Sequence, residues 1–507
     1  MKKDIAIHFV FFLGQVLILA WNDIGQSGFT PSFIYPFWAG IVLLTIVRQQ
    51  ENASPTRFGM VYTVMASLVL TFCLLNDMTR DFWAFGIHRY FPVIVRLVAV
   101  QGFLLFIHPQ IFPLVARKVE QGICILRNRG YFVAKLPLLL LIIGLVAWLL
   151  RNQHITPDGH DWIVHSAYAG NWTRYLREPL SVFIFRSSVV FLGLPPYLSI
   201  TLVTILAGLL ASIILVIVIW KIFPAPLSGY VMALLLSCAG YTALFFGNIE
   251  VYALLQLGLA MFLFSTVKYW RDQWPGWVVG VAYALLAFMH LSAVWWFPCF
   301  LAVPFVRAKR MDNWSTVGKE MGKLLASFFA VSFCVVYLIA LQGYGGNITA
   351  MLEHFTSDQV LYVGSDGAMF HPISTYFTWE YYLAMLNEYV YLMPGIVLLL
   401  PILFWRAKQT AWNTKQNLWF IGLAGLYLAY SLVWHADRPL AVDWDIFSGL
   451  TIPAVILLGK MVQHSQIREE AKPYLLYQGV CFSASFLFLQ ILHNHLRVSP
   501  YWPNNPI

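Results

Sequence analysis

Long apolar runs separated by short polar, mostly basic stretches recur along the whole chain. Runs such as Leu136–Leu150, Ile200–Trp220 and Tyr389–Trp405 approach or reach the ~20 apolar residues that a helix needs to cross a bilayer. The pattern predicts spans near 5–21, 32–48, 58–75, 90–115, 135–150, 198–220, 227–247, 250–267, 276–290, 291–306, 321–341, 388–405, 418–434, 446–462 and 474–493. The short pair 276–290 and 291–306 also reads as one shallow hairpin. The expected fold class is all-α, a polytopic transmembrane helix bundle of about 13–15 spans.

The basic residues orient these spans. They cluster at Lys2-Lys3, Arg48–Arg57, Arg117–Lys135, Lys221, Lys268–Arg271, Arg307–Lys323, Arg406–Lys415 and Lys460–Lys472. Lys and Arg favour the cytoplasmic side. This places the N-terminus in the cytoplasm and the loops 151–197, 342–387 and 435–445 on the extracytoplasmic face, together with the tight turns at Asn248–Glu250 and His290. The apolar run after Lys2-Lys3 has no clear small-residue cleavage site and reads as a retained helix.

Composition sharpens the class. Hydrophobic residues make up 60% of the chain and charged residues 11%, with a mean hydropathy of +0.70. These values exclude a soluble globule. The net charge of +9, from 32 basic and 23 acidic residues, reports orientation and lipid contact and is no evidence for nucleic acid. The six cysteines (Cys73, Cys124, Cys238, Cys299, Cys334, Cys481) form no CxxC and read as buried small hydrophobes, not as a disulfide or zinc framework.

Acidic residues are scarce, and several gather on the expected outer face. A carboxylate leaves water only at a cost of several kcal/mol unless paired or neutralised. Asp158 and Asp161 in PDGHDW, Glu250 in FFGNIEVY, and Asp443 and Asp445 in AVDWDIF therefore form a candidate active site. Pro157-Asp158-Gly159 reads as a turn, ahead of a helix from Asp161 to Leu176; either Asp158 or Asp161 then serves as a base, or as a cap or metal contact. Pro179–Leu194 reads as a helix lying in the interface. Arg174, Arg177, Arg186 and Arg438 are phosphate partners through charge-assisted hydrogen bonds, or else contact lipid headgroups. Glu250 sits at a hairpin tip facing a cavity or water. His290 ends an apolar span as a binding or merely satisfied imidazole. The Asp443-Trp444-Asp445 triplet has the spacing to share a divalent cation such as Mg or Mn. The loop 342–387 is long enough to cover a site. Walker A, GxGxxG, HExxH and GxSxG motifs are absent, and acids buried in mid-span are not evident, which argues against a pump or secondary transporter.

Taken together, Pro157-Asp158-Gly159 through Asp161, Arg177–Leu180, Asn248–Tyr252, Met289–Ser292 and Val442–Phe447 resemble the motifs of the GT-C superfamily of polytopic membrane glycosyltransferases. The resemblance covers residues 131–463. Residues 131–463 then read as the catalytic module and 464–507 as a C-terminal helix with tail, while the spans of 1–130 carry few candidate functional groups, read as an accessory layer, and are four extra spans relative to the usual family pattern. The acidic turn is Asp-Gly where the family commonly has Asp-Glu, so Asp158 and Asp161 both stay candidates for the base. The resemblance further implies a polyprenyl-phosphate-sugar donor and inverting transfer. It also implies a location in the plasma (inner) membrane, or in the endoplasmic reticulum of a eukaryote. Arg174, Arg177 or Arg438 would stabilise the leaving phosphate, a cation at Asp443 and Asp445 would be optional, and Glu250 would position hydroxyls. A polysaccharide polymerase or ligase, a flippase-type transporter and a non-catalytic scaffold are the competing classes.

Overall fold

A computed structural model of the chain describes residues 129–152, 157–167, 176–307, 314–356, 371–397, 399–400, 414–434, 444–467, 469 and 471–496, with residues 95, 118, 121 and 122 ahead of them. The predicted spans at 5–21, 32–48, 58–75 and 90–115 lie outside the described residues.

The described elements are all helices. They are α1 (Arg129–Leu149), α2 (Pro157–Ala167), α3 (Pro179–Leu192), α4 (Pro196–Ile222), α5 (Leu227–Ser237), the single turn α6 (Ala239–Thr242), α7 (Tyr252–Trp270), α8 (Gly276–Met289), α9 (Phe297–Arg307), α10 (Trp314–Gly343), α11 (Ile348–Thr356), α12 (Trp379–Leu392), α13 (Lys415–Val433), α14 (Thr451–His464) and α15 (Ala471–Leu496). Short 3-10 turns cover Ala243–Phe245, Leu291–Trp296, Ile373–Phe377 and Trp444–Leu450. Prolines at the starts of α3 and α4 enter helices at the position where a missing N–H costs nothing.

Six of these helices are long and apolar enough to cross a membrane, and a seventh joins them if the bent pair Leu227–Ser237 and Ala239–Phe245 counts as one span. The chain is a multi-pass membrane protein. The expected straight span 227–247 is corrected here: it breaks at Cys238 and turns by 70°. Gln256 Nε2 braces the bend, donating to the carbonyls of Gly240 and Ser448. The expected span 388–405 also changes. Its first residues belong to α12, which ends at Leu392, and helix resumes at Pro394, whose ring denies the preceding turn a donor.

The core is built by α4 along α7, α7 along α8, and α8 along α10, with α5 against α15 and α13 against α14. Helix α8 approaches α10 so closely that a Cβ on Gly280 would lie 2.3 Å from the Leu324 carbonyl oxygen. Without a hydrophobic drive between helices in lipid, such small-residue contacts carry the packing. Leu138, Leu141 and Leu145 on α1, and Phe329 and Phe333 on α10, point outward. In water such faces would aggregate; in a bilayer they meet acyl chains.

The two ends of the bundle differ in chemistry. At one end Arg271 donates to the Lys221 carbonyl, Arg307 pairs with Asp272 and Glu320, and Lys460 donates to the Ile222 carbonyl. The other end holds the motifs singled out from the sequence.

Candidate active site

The turn between the bent α5–α6 segment and α7 sets the site. Gly247 has φ +74°, and a Cβ there would lie 2.9 Å from Thr201 Cγ2 and 3.1 Å from Arg151 Cβ, so only glycine fits without strain. The Glu250 amide then donates to the Asn248 carbonyl at 3.0 Å. This tight turn buries Asn248 (3% exposed) and Glu250 (4%).

Each of the two side chains joins a distant motif. Asn152, just past α1, donates from its amide to Asn248 Oδ1 at 3.1 Å, and Asn248 Nδ2 donates to Asp445 Oδ2 at 3.0 Å. The Asn152 backbone N–H reaches the Phe246 carbonyl at 2.6 Å. Trp162 of α2 donates its indole N–H to Glu250 Oε2 at 3.0 Å. Asp445 lies in the 3-10 turn Trp444–Leu450 and is 4% exposed. Buried carboxylates require such donors.

Helix α2 corrects one expectation. It begins at Pro157, four residues earlier than expected, and is described as far as Ala167; residues 168–175 lie outside the described residues. Pro suits the first helical position, and an Asp in the first turn complements the helix dipole. Asp158 therefore stands in the first turn of α2, one turn ahead of Trp162, and not in a preceding turn. Asp161 is exposed to solvent.

The Arg177–Leu180 and Met289–Ser292 motifs also meet. The Leu291 N–H donates to the Arg177 carbonyl at 2.7 Å, and Ser181 Oγ donates to the Met289 carbonyl at 2.8 Å. Arg177 is close enough to His290 for their charges to interact. His290 Nδ1 accepts the Ser292 backbone N–H at 3.1 Å and lies 2.7 Å from the Ser292 hydroxyl. An accepting Nδ1 makes the imidazole neutral, with Nε2 as the donor. The ring packs against Tyr252, centroids 5.1 Å apart, which ties it to the Asn248–Tyr252 turn. The Ser292 hydroxyl is 3.2 Å from that of Tyr427, which donates to the Ile446 carbonyl at 3.3 Å, next to Asp445.

Of the candidate site residues, Glu250, Asp445, Arg177 and His290 fall within this linked network, while Asp158 and Asp161 stand on α2, the helix that contributes Trp162. Arg174, Arg438 and Asp443 lie outside the described residues. Arg186 donates to the Ser166 carbonyl at 2.9 Å, joining α3 to α2. In the long loop, Glu353 and Glu380 are exposed, while Asp358 and Asp366 lie outside the described residues.

Sequence reasoning misses Glu388. It is fully buried in α12 (0% exposed), against the expectation that the apolar segments enclose no acid. Tyr391, one turn on, interacts with both Glu388 and Asp445 and hydrogen-bonds Gln490 of α15. Glu178 (4% exposed), at the start of α3, is likewise buried and was legible only as part of Arg177–Leu180.

Asp443, the other half of the Asp443-Trp444-Asp445 triplet, lies outside the described residues. Asn248 presents an N–H to Asp445 Oδ2, and among the described residues no three His, Cys, Asp or Glu side chains come together to hold a metal ion.

No protein-family model matches the chain, and no curated protein sequence matches it either. Solved structures do. The chain is similar to ArnT from Cupriavidus metallidurans in a crystal structure bound to undecaprenyl phosphate, with a TM-score of 0.51 and 11% identity over 73% of this chain and 78% of that one. The apo form of the same protein aligns with a TM-score of 0.48 and 12% identity over 72% and 77% of the two chains. The first likeness shows a shared fold, the helical membrane fold of that ArnT structure.

Proposed function

We propose that this protein is an integral membrane glycosyltransferase that moves a sugar, with inversion, from a polyprenyl-phosphate-linked donor to an acceptor hydroxyl on the extracytoplasmic face of the plasma membrane. One observation carries the reading. Buried Glu250 and Asp445, from motifs 195 residues apart, are held by Trp162 and Asn248 at one end of a bundle that shares its fold with a protein crystallised with undecaprenyl phosphate.

The chemistry follows from charge and position. A carboxylate on α2, Asp158, takes the acceptor hydroxyl proton as the oxygen attacks the anomeric carbon from the side opposite the phosphate. The bond from carbon to phosphate oxygen breaks, and its electron pair leaves with the polyprenyl phosphate. Arg177 meets the charge that develops there, and the His290 Nε2–H is a second donor. Glu250, fixed by the Trp162 indole, accepts from hydroxyls of sugar or acceptor through its remaining lone pairs. A monophosphate leaves without a metal, and no step is assigned to one.

The test is a mass-spectrometric profile of lipid-linked sugars in cells lacking the protein, complemented with wild type, Asp158→Asn or Glu250→Gln. Accumulation of one polyprenyl-phosphate sugar that only wild type clears supports the reading. An unchanged lipid pool in every strain overturns it.

A further inference from the structure

A second candidate site lies at the basic end of the bundle. Helices α9, α10 and α13 enclose a groove of about 490 Å³, within the range of small-molecule sites. Ala302, Phe305, Trp314, Gly422 and Leu426 are among its lining residues, and among the described residues Lys415 is the one charged residue that lines it.

The depth of the groove matches one leaflet. Lys415 marks its rim, where Nζ lies 3.4 Å from the Phe305 carbonyl, and Leu426 lies deeper on the same spanning helix. At 1.5 Å per residue these positions are about 16 Å apart, against ~15 Å for half the hydrocarbon core of a bilayer. Trp419 Nε1 donates to the Cys299 carbonyl at 2.7 Å halfway down and holds α13 and α9 at a fixed spacing. The rim carries exposed Trp314, a side chain suited to headgroup depth. Arg307 and Lys323, which pair with Glu320, stand at the same end. Helix α7 runs from the Asn248–Tyr252 turn to this end over 19 residues, about 28 Å, so a head group at Lys415 is on the opposite side of the membrane from the candidate active site.

We propose that this groove holds one acyl chain of an anionic phospholipid, with the lipid phosphate at Lys415. An apolar channel of one leaflet's depth takes a tail, and a basic rim selects an anionic head over a neutral one. The site does not depend on the proposed transferase activity.

Full-length protein purified in mild detergent, offered phosphatidylglycerol or phosphatidylcholine and read by native mass spectrometry, tests this. Wild type is expected to retain one phosphatidylglycerol with about fivefold preference over phosphatidylcholine, the effect of one basic residue near a charged head group. Lys415→Gln, at the exposed rim, loses the preference. Ala302→Phe fills the groove and loses the lipid, while Phe333→Ala on the open face of α10 changes neither. Wild type that retains no phospholipid, as when other residues of the chain cover the groove, overturns the proposal. So does equal retention of both lipids, retention unchanged by both Lys415→Gln and Ala302→Phe, or a polyprenyl phosphate in place of the phospholipid.

Discussion

Trp162 and Glu250, 88 residues apart in sequence, meet in a 3.0 Å hydrogen bond from indole N–H to carboxylate. Both side chains are buried, so this bond does more than position a surface group: it keeps a charge inside the bundle satisfied. Trp162→Phe preserves most of the ring packing and removes the donor, which costs about 1–3 kcal/mol at a buried oxygen. The melting midpoint of the detergent-solubilised protein is expected to fall, and sugar transfer with it. Glu250→Gln keeps an acceptor for the indole. Its stability is expected to stay near wild type while transfer is lost. A double-mutant cycle of Trp162→Phe with Glu250→Ala, which removes the acceptor, is the check on stability, and additive effects would show that the pair does not act together.

Asn248 makes a different kind of contact, because it bridges two polar groups at once. Its oxygen accepts from Asn152 and its amide donates to Asp445. Asn248→Ala leaves both partners short of a bond. Asn248→Asp is nearly the same shape but sets a second negative charge about 3 Å from Asp445, in a site of low polarity where such repulsion is strong. The expected order of thermal stability at neutral pH is wild type, then Asn248→Ala, then Asn248→Asp. An aspartate variant as stable as wild type would mean that Asp445 carries no charge in the folded protein.

Gly247 supplies the backbone that points Asn248 and Glu250 inward. Gly247→Ala forces a left-handed conformation worth about 1–2 kcal/mol on a residue with a Cβ. It also drives that Cβ toward Thr201. Transfer is expected to fall by more than the loss of folded protein explains, since the turn carries both functional side chains. Adding Thr201→Ala removes the methyl group in the way and is expected to restore part of the activity but not the backbone cost. No rescue by Thr201→Ala would locate the damage in the backbone alone.

How much of this was legible in the sequence follows from what each feature depends on. Spans such as α4 and α15 depend on local hydropathy, and the sequence places them within a few residues. That the Glu250 and Asp445 motifs lie at one end of the bundle was legible from the alternation of apolar runs between basic clusters. The bend at Cys238 was not legible: no proline or glycine stands at that residue, and Gln256 braces the bend from another helix. Glu388 was not legible either. It begins an apolar run, where an acid normally reads as a loop residue, and only tertiary packing buries it and brings Tyr391, one turn on, near Asp445. The early start of α2 came from reading Pro157-Asp158-Gly159 as a turn, although proline and aspartate also suit a helix N-terminus.

That last correction gives the two candidate bases different expected outcomes. Positions 158 and 162 are four apart on α2 and so fall on one face of the helix, and the indole of Trp162 holds Glu250. Asp161 is exposed and next in sequence to Trp162, about 100° away around the helix. Loss of a catalytic base costs roughly 10²–10⁴-fold in rate, whereas an exposed substitution costs about twofold at most through stability. Asp158→Asn is therefore expected to abolish measurable transfer with membrane insertion intact, and Asp161→Asn to stay within about twofold of wild type. Initial rates of sugar release from a polyprenyl-phosphate donor, with both variants in the same membranes, are the measurement. The reverse outcome would move the base to Asp161 and turn the active face of α2 toward solvent. If both variants keep wild-type rates, neither aspartate of α2 is the base, and Glu250 becomes the carboxylate to test next.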